Sequence, residues 1–229
     1  LTTGTNGSYP MMINWIQRQE QWCAPNYNPL PVVLNRGQGV WVWDTDGRRY
    51  LDMISGYSAV NHGHCHPKIL SALIKQAGLL SVCSRACYND KLGDFLATLC
   101  QALNMDMALP MNSGTEAVET AIKAVRRWGY RQKSIPYEQA EIIVTSQNSH
   151  GSTLGSMSLS TNTESRKDFG PLLSGFRVVP FGDAEALKNA INPNTCAVIT
   201  EPLQGEAGIL IPPSGWLSQV AQICHDHHI

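Results

Sequence analysis

The six residues Asn112-Ser113-Gly114-Thr115-Glu116-Ala117 separate two different patterns. Before them, Met107-Ala108-Leu109-Pro110-Met111 is a short apolar run, which predicts a buried strand. After them, apolar residues recur at Ala117, Val118, Ala121, Ile122, Val125 and Trp128. That is one stripe of a 3.6-residue period, and it predicts a helix to about Tyr130. Ser113 and Glu116 have the Ser-x-x-Glu spacing of a capping box, so the turn and the helix start coincide. Glu116 and Glu119 come early in the helix, and Lys123, Arg126, Arg127 and Arg131 come late. This order complements the helix macrodipole. Gly114 lets a ligand approach the backbone closely. Free N–H groups at a helix start suit an anion, phosphate among them. Two readings fit the stretch: a capped helix behind a tight turn, or an anion site.

Composition narrows the class. The chain has 229 residues, 43% hydrophobic and 15% charged. That favours a globular fold with a real core over disorder. A net charge of −1 gives no basis for binding nucleic acid or an anionic membrane surface. No apolar run approaches the roughly 20 residues of a membrane-spanning helix. The seven cysteines are scattered and include no Cys-x-x-Cys pair, which suits a reducing compartment.

Outward from the central turn the patterns alternate. Residues 1 to 10 are polar and Gly-rich and predict a loose terminus, with a short helix over Met11–Trp22. Pro25, Pro29 and Pro31 impose an extended path. Gly39–Asp44 and Arg48–Asp52 flank Thr45-Asp46-Gly47, which predicts a β-hairpin. Helices are expected from Pro67 to about Gly78 and from Lys91 to Leu103. Strands are expected at Glu141–Ser146, Phe176–Pro180 and Thr195–Thr200, with helices at Asp183–Ile191 and Gly215–His227. Strands alternating with helices imply an α/β fold with a mostly parallel sheet.

With its flanks, the central turn resembles the phosphate-binding turn of class III aminotransferases, fold-type I enzymes that use pyridoxal phosphate (PLP). Ser55-Gly56-Tyr57-Ser58-Ala59-Val60-Asn61-His62-Gly63-His64-Cys65-His66-Pro67 resembles ornithine aminotransferases. So does Glu201-Pro202-Leu203-Gln204-Gly205-Glu206-Ala207-Gly208. The resemblance runs from about Tyr27 to Ile229. It implies the N-terminal part of a fold-type I transferase. Residues 1–80 would form a small segment carrying the hairpin, and 81–229 an incomplete PLP-binding α/β domain.

The implied reaction is ping-pong transfer of the δ-amino group of ornithine to 2-oxoglutarate. The implied cofactor residues are Ser113, Gly114, Thr115, Ser149, His150 and Glu201. Glu201 and Glu206 are the implied catalytic carboxylates, Glu206 being the family glutamate that pairs with an arginine. Tyr27 and Tyr57 match substrate positions. Read from the residues alone, these tyrosines also fit as packed aromatics, and the glutamates as a solvated loop after Pro202. The family location is the mitochondrial matrix or the cytoplasm. The implied partners are amino-acid and 2-oxo-acid substrates and an oligomeric neighbour, either a second copy, a chain supplying the C-terminal half, or a larger complex.

Three features depart from the resemblance. The family has an aromatic, then His or Trp, Gly and Arg where this chain has Ser149-His150-Gly151-Ser152. Ser149 offers no π-face to stack on a pyridine ring. Ser152 cannot form the two-pronged clamp that arginine makes on a carboxylate. None of the lysines in the chain matches the Schiff-base lysine, and the family's pyridine-nitrogen aspartate also has no counterpart here. The chain alone is therefore expected to be inactive, and a second reading stands beside the enzyme: a degenerate subunit with a structural role. The groups His62, His64, Cys65, His66 and His225, His227, His228 fall where the family binds no metal, so no metal site is expected.

Overall fold

The computed structural model describes residues 14–229. Residues 1–13, with the start of the expected Met11–Trp22 helix, lie outside the described part. The chain divides into two compact units, one ending at Phe95 and one beginning at Leu96.

In the first unit, helix α1 (Trp15–Trp22) starts at Asn14, whose side chain accepts from the Gln17 amide at 3.1 Å. Strands β1 (Leu34–Gln38), β2 (Trp41–Asp44) and β3 (Arg49–Leu51) form an antiparallel sheet in the order β1-β2-β3. The expected hairpin is β2–β3. Its turn closes on Asp44, whose carboxylate accepts from the Asp46 amide at 3.0 Å, the Arg48 amide at 2.8 Å and the Tyr50 hydroxyl at 2.6 Å. Gly47 takes a φ of 82° that this turn needs. Strand β1 was not expected, because Leu-Asn-Arg-Gly-Gln lacks an apolar alternation. Its pairing with β2, and Arg36 stacked 3.8 Å over the Trp43 ring, hold it in place. Helix α2 (Pro67–Ala77) starts at the proline, as the sequence implies.

Helix α3 (Leu92–Leu103) crosses the division between the units. The second unit is built on three parallel strands, β4 (Glu141–Thr145), β5 (Phe176–Val179) and β6 (Thr195–Ile199), in the order β5-β4-β6. Central β4 is apolar on both faces. Ile142 and Val144 meet Ile122, Leu159, Cys196 and Ala197 on one side. Ile143 meets Val179, Leu187, Trp216 and Val220 on the other. Helix α4 (Gly114–Gln132) covers the first face. Its Gly129 sits so close to β6 that an added Cβ would lie 2.8 Å from that of Cys196. Helices α7 (Ala184–Ala190), capped by Asp183, and α8 (Trp216–Asp226) cover the second. Between β4 and β5 lie two short helices that the sequence did not signal, α5 (Leu154–Ser158) and α6 (Thr163–Arg166).

One expectation fails. Met107–Met111 forms no strand. Met107 is 89% exposed and Leu109 60% exposed. Apolar composition supplies a reason to be buried but no hydrogen-bonding neighbour, and no strand of the described residues lies alongside this segment. The helix after it does start at the turn, one residue past Ser113.

These two environments set opposite expectations for truncation. Ile142→Ala removes a side chain of 0% exposure and should cost about 3 kcal/mol in urea unfolding, the usual range for a filled core site. Met107→Ala should change stability by less than about 0.5 kcal/mol. Equal losses at both positions would contradict the packing described.

Candidate functional site

The carboxyl ends of β4 and β6 and the start of α4 carry the polar residues that the sequence singles out in the second unit. At the start of α4, the Ser113 side chain accepts from the Glu116 amide at 3.3 Å. The Glu116 carboxylate reaches back to the Asn112 amide at 2.8 Å, one residue beyond the usual capping-box partner. The amides of Gly114 and Thr115 have no acceptor among the described residues. A Cβ added at Gly114 would meet nothing within 4 Å, so this backbone is open to a ligand. The first turn of a 19-residue helix thus presents unpaired donors and the positive end of its dipole to open space.

The loop after β4 runs beside this turn. Buried Asn148 pins it, donating to the carbonyls of Thr145 and Leu159, both at 2.7 Å. Gly151 takes a φ of 118°, and a Cβ there would clash with the Thr115 side chain. Thr115 Oγ1 lies 3.2 Å from Thr153 Oγ1 and 3.1 Å from Ser156 Oγ. The β4–α5 loop and the start of α4 are therefore tied by side-chain hydroxyls. His150 is half-buried, and its Nε2 has no hydrogen-bond partner among the described residues. Burial holds its imidazole below the ordinary value of 6.5, because desolvation disfavours the charged ring.

Glu201 follows β6. Its carboxylate accepts from the Ser149 amide at 3.1 Å. Burial pushes its carboxyl above the ordinary range, against the pull of that amide and of Gln204. Gln204, fully buried, donates to the Ser146 carbonyl at 2.8 Å and so fastens the β6 loop to the β4 loop. Its backbone pairs with Leu210 in both directions, closing the 204–210 loop that carries Glu206. Sequence reading missed Asn148, Gln204, Thr153 and Ser156. Gln204 lies inside a quoted motif, yet nothing in its type signals complete burial.

The structure thus brings Ser113, Gly114, Thr115, Ser149, His150 and Glu201 into one unit, on the loops at one end of its sheet. That end is where open α/β sheets bind ligands. Tyr27 and Tyr57 belong to the first unit, where they are 78% and 81% exposed. They are not packed core aromatics there. Among the described residues no group of three or more His, Cys, Asp or Glu is placed to hold a metal ion. No described helix is long and apolar enough to cross a membrane.

Residues 22–229 match the family Aminotransferase class-III, and the chain belongs to that family. Within it, the chain is a homologue of ornithine aminotransferases. The ornithine aminotransferase of Exiguobacterium is 53% identical over 214 residues, covering 93% of this chain and 53% of the relative. A Toxoplasma gondii ornithine aminotransferase structure, with PLP at partial occupancy in its active site, superposes with a TM-score of 0.91 at 36% identity. It covers 93% of this chain and 50% of that one. The Plasmodium falciparum ornithine δ-aminotransferase gives 0.81 at 42% identity, over 94% and 51%. The chain spans about half the length of the curated relatives it matches. The family is PLP-dependent.

The residues present fit one end of that cofactor. The open amides of Gly114 and Thr115 suit its phosphate. The neighbouring loops hold polar groups in Glu201 and the buried, unpartnered His150 Nε2, but Ser149 offers no face on which a ring could stack.

The pH dependence of stability reports on this loop. A folded-state value below 6.5 means that, between the two values, the unfolded chain binds more protons at His150. His150 therefore contributes stability in full above about pH 6.5 and loses it as the pH falls through that window. Glu201 acts with the opposite sign, its raised carboxyl binding protons more tightly in the folded chain. Wild type should lose more stability than H150Q between about pH 7.5 and about pH 5, measured by urea unfolding. Equal losses would place His150 in water.

Proposed function

We propose that this chain supplies the phosphate cradle and acidic loop of a PLP-dependent ornithine δ-aminotransferase, moving the δ-amino group of ornithine to 2-oxoglutarate. What carries the reading is the open pair of amides at Gly114 and Thr115, beside a loop whose Ser149 amide holds Glu201. The names of the relatives above support the substrate assignment.

In this proposal Ser113, Gly114 and Thr115 hold the cofactor phosphate. His150 and Glu201 border its ring, with Glu201 held toward the ring by Ser149 N–H. Glu206, at the end of the loop closed by Gln204 and Leu210, meets a cationic partner while the amino donor is bound. Tyr27 and Tyr57 contact the substrate. When bound, the cofactor supplies an electron sink for the carbon that loses its proton. The chain's own task is to fix orientation and to set charge around it.

The reaction also needs a lysine to hold the cofactor and carry protons. The lysines of this chain stand elsewhere in the motif order. Lys133, for one, donates to the Thr195 carbonyl at 3.0 Å, at the amino end of β6, opposite Glu201. The purified chain alone should therefore give no single reducible adduct when PLP is added and borohydride follows, and should not turn over ornithine. One stoichiometric labelled lysine with turnover would overturn the proposal for the isolated chain. Turnover that appears only with a second chain supports a shared site.

Ser149 and Ser152 favour a second reading, a subunit that keeps the fold but not the catalysis. Both readings place the chain in an assembly. Leu73, Ile74, Leu79 and Val82 of the first unit are 63%, 65%, 73% and 82% exposed, apolar surface that a partner could cover. Light scattering at micromolar concentration should report a mass above one chain, and a stable monodisperse monomer would contradict both readings.

A further inference from the structure

Glu119 was legible in the sequence only as an early acidic residue favouring the helix dipole. The structure gives it a more specific setting. It lies on α4, one turn beyond the cradle, and accepts a hydrogen bond from Thr153 Oγ1. An ionised carboxylate can only accept, so Thr153 must spend its one hydroxyl proton on Glu119. Thr153 Oγ1 then keeps two lone pairs, for the Ser156 amide at 3.3 Å and for Thr115 Oγ1 at 3.2 Å. Ser156 Oγ, 2.8 Å from it, donates instead to the Thr153 carbonyl at 3.2 Å. The Thr153 amide returns a bond to Ser156 Oγ at 3.0 Å. Ser156 is 1% exposed, and Thr115, Glu119 and Thr153 around it are partly buried. Two glycines make room for this knot. A side chain at Gly155 would strike the Glu119 carboxylate, and one at Gly151 would strike Thr115.

We infer that Glu119 is a positioning residue of the anion cradle, acting through Thr153 and Ser156 on Thr115. The inference rests on the phosphate reading of the Gly114–Thr115 amides. The carboxylate anchors the hydroxyl knot, and the knot fixes the Thr115 side chain and the first turn of α4. The fixed turn keeps both free amides aimed at one point. Simple electrostatics gives the opposite expectation, which makes the inference testable. A carboxylate near an anion site repels the anion, so removing a merely repulsive Glu119 would tighten binding.

The test is titration of the purified chain with inorganic phosphate, read by calorimetry and by the amide resonances of Gly114 and Thr115. Glu119→Leu removes charge and acceptor together and should weaken binding about tenfold, the order expected for one charge-assisted hydrogen bond in the support. Glu119→Gln keeps an oxygen for Thr153 and should stay within about threefold of wild type. Thr153→Val deletes one hydroxyl at nearly constant shape, and it should reproduce the loss even if E119L fails to fold. E119L or T153V binding as tightly as wild type, or more tightly, overturns the inference and leaves the cradle intact. Absence of saturable binding to wild type, with no shift at Gly114, overturns the cradle and this inference with it.

Discussion

Strand β4 is hydrogen-bonded along both edges and packed on both faces. Ile142, Ile143, Val144 and Thr145 have no exposed surface. A strand in that position can offer no side chain to a ligand, and its own polar backbone is fully used. Chemistry is therefore displaced to where the ladder stops. Parallel strands stop together, so the loops after β4 and β6 emerge side by side. Helix α4, laid across β6 at Gly129, has its amino end free for an anion.

The loops gain their shape from a few buried polar residues rather than from regular structure. Asn148 closes the β4–α5 loop on two carbonyls, and Gln204 fastens the β6 loop to the Ser146 carbonyl. The carbonyls that Asn148 reaches belong to residues with almost no exposed surface, Thr145 and Leu159. Removing the Asn148 amide would leave a buried carbonyl unpaired, which costs more than the bond itself contributes. Glu201 gains its setting the same way. Burial would neutralise its carboxyl, while the Ser149 amide and Gln204 favour the ion.

What the sequence made legible follows periodicity and turn chemistry. Ser113 with Glu116, Asp46 with Gly47, Pro67, Asp183 and the β-branched runs of β4 and β6 each encode a local preference, and each element formed. Among the unread segments, two turn on whether a strand lies alongside rather than on their own residue pattern. β1 exists because β2 lies alongside it, and Met107–Met111 is not a strand because no strand does. The site residues divide in the same way. Glu201 and Thr115 stand in motifs that carry a family resemblance. Asn148, Gln204 and Glu119 act through contacts 3 to 58 residues away in sequence, which no local pattern announces.

Ser149 and Gly151 show how much of this loop is set by backbone rather than by side chains. At Ser149 the part that touches Glu201 is the backbone amide, and any residue but proline provides that bond. At Gly151 the constraint is a positive φ and a tight approach to Thr115, which only glycine satisfies, and glycine stands there. At both positions the work is done by backbone or by packing. The family resemblance sets an aromatic against Ser149 and an arginine against Ser152, whose side chains carry neither ring nor guanidinium. Stacking contributes on the order of 1 kcal/mol beyond buried area, and a charge-assisted clamp about 2 kcal/mol. Losses of that size weaken the hold on a ring or a carboxylate by roughly one to two decades without disturbing the fold. The open amides of Gly114 and Thr115 belong to the backbone and do not depend on either serine side chain. Under the proposed function, phosphate is accordingly the part of the cofactor that the open Gly114 and Thr115 amides would still hold.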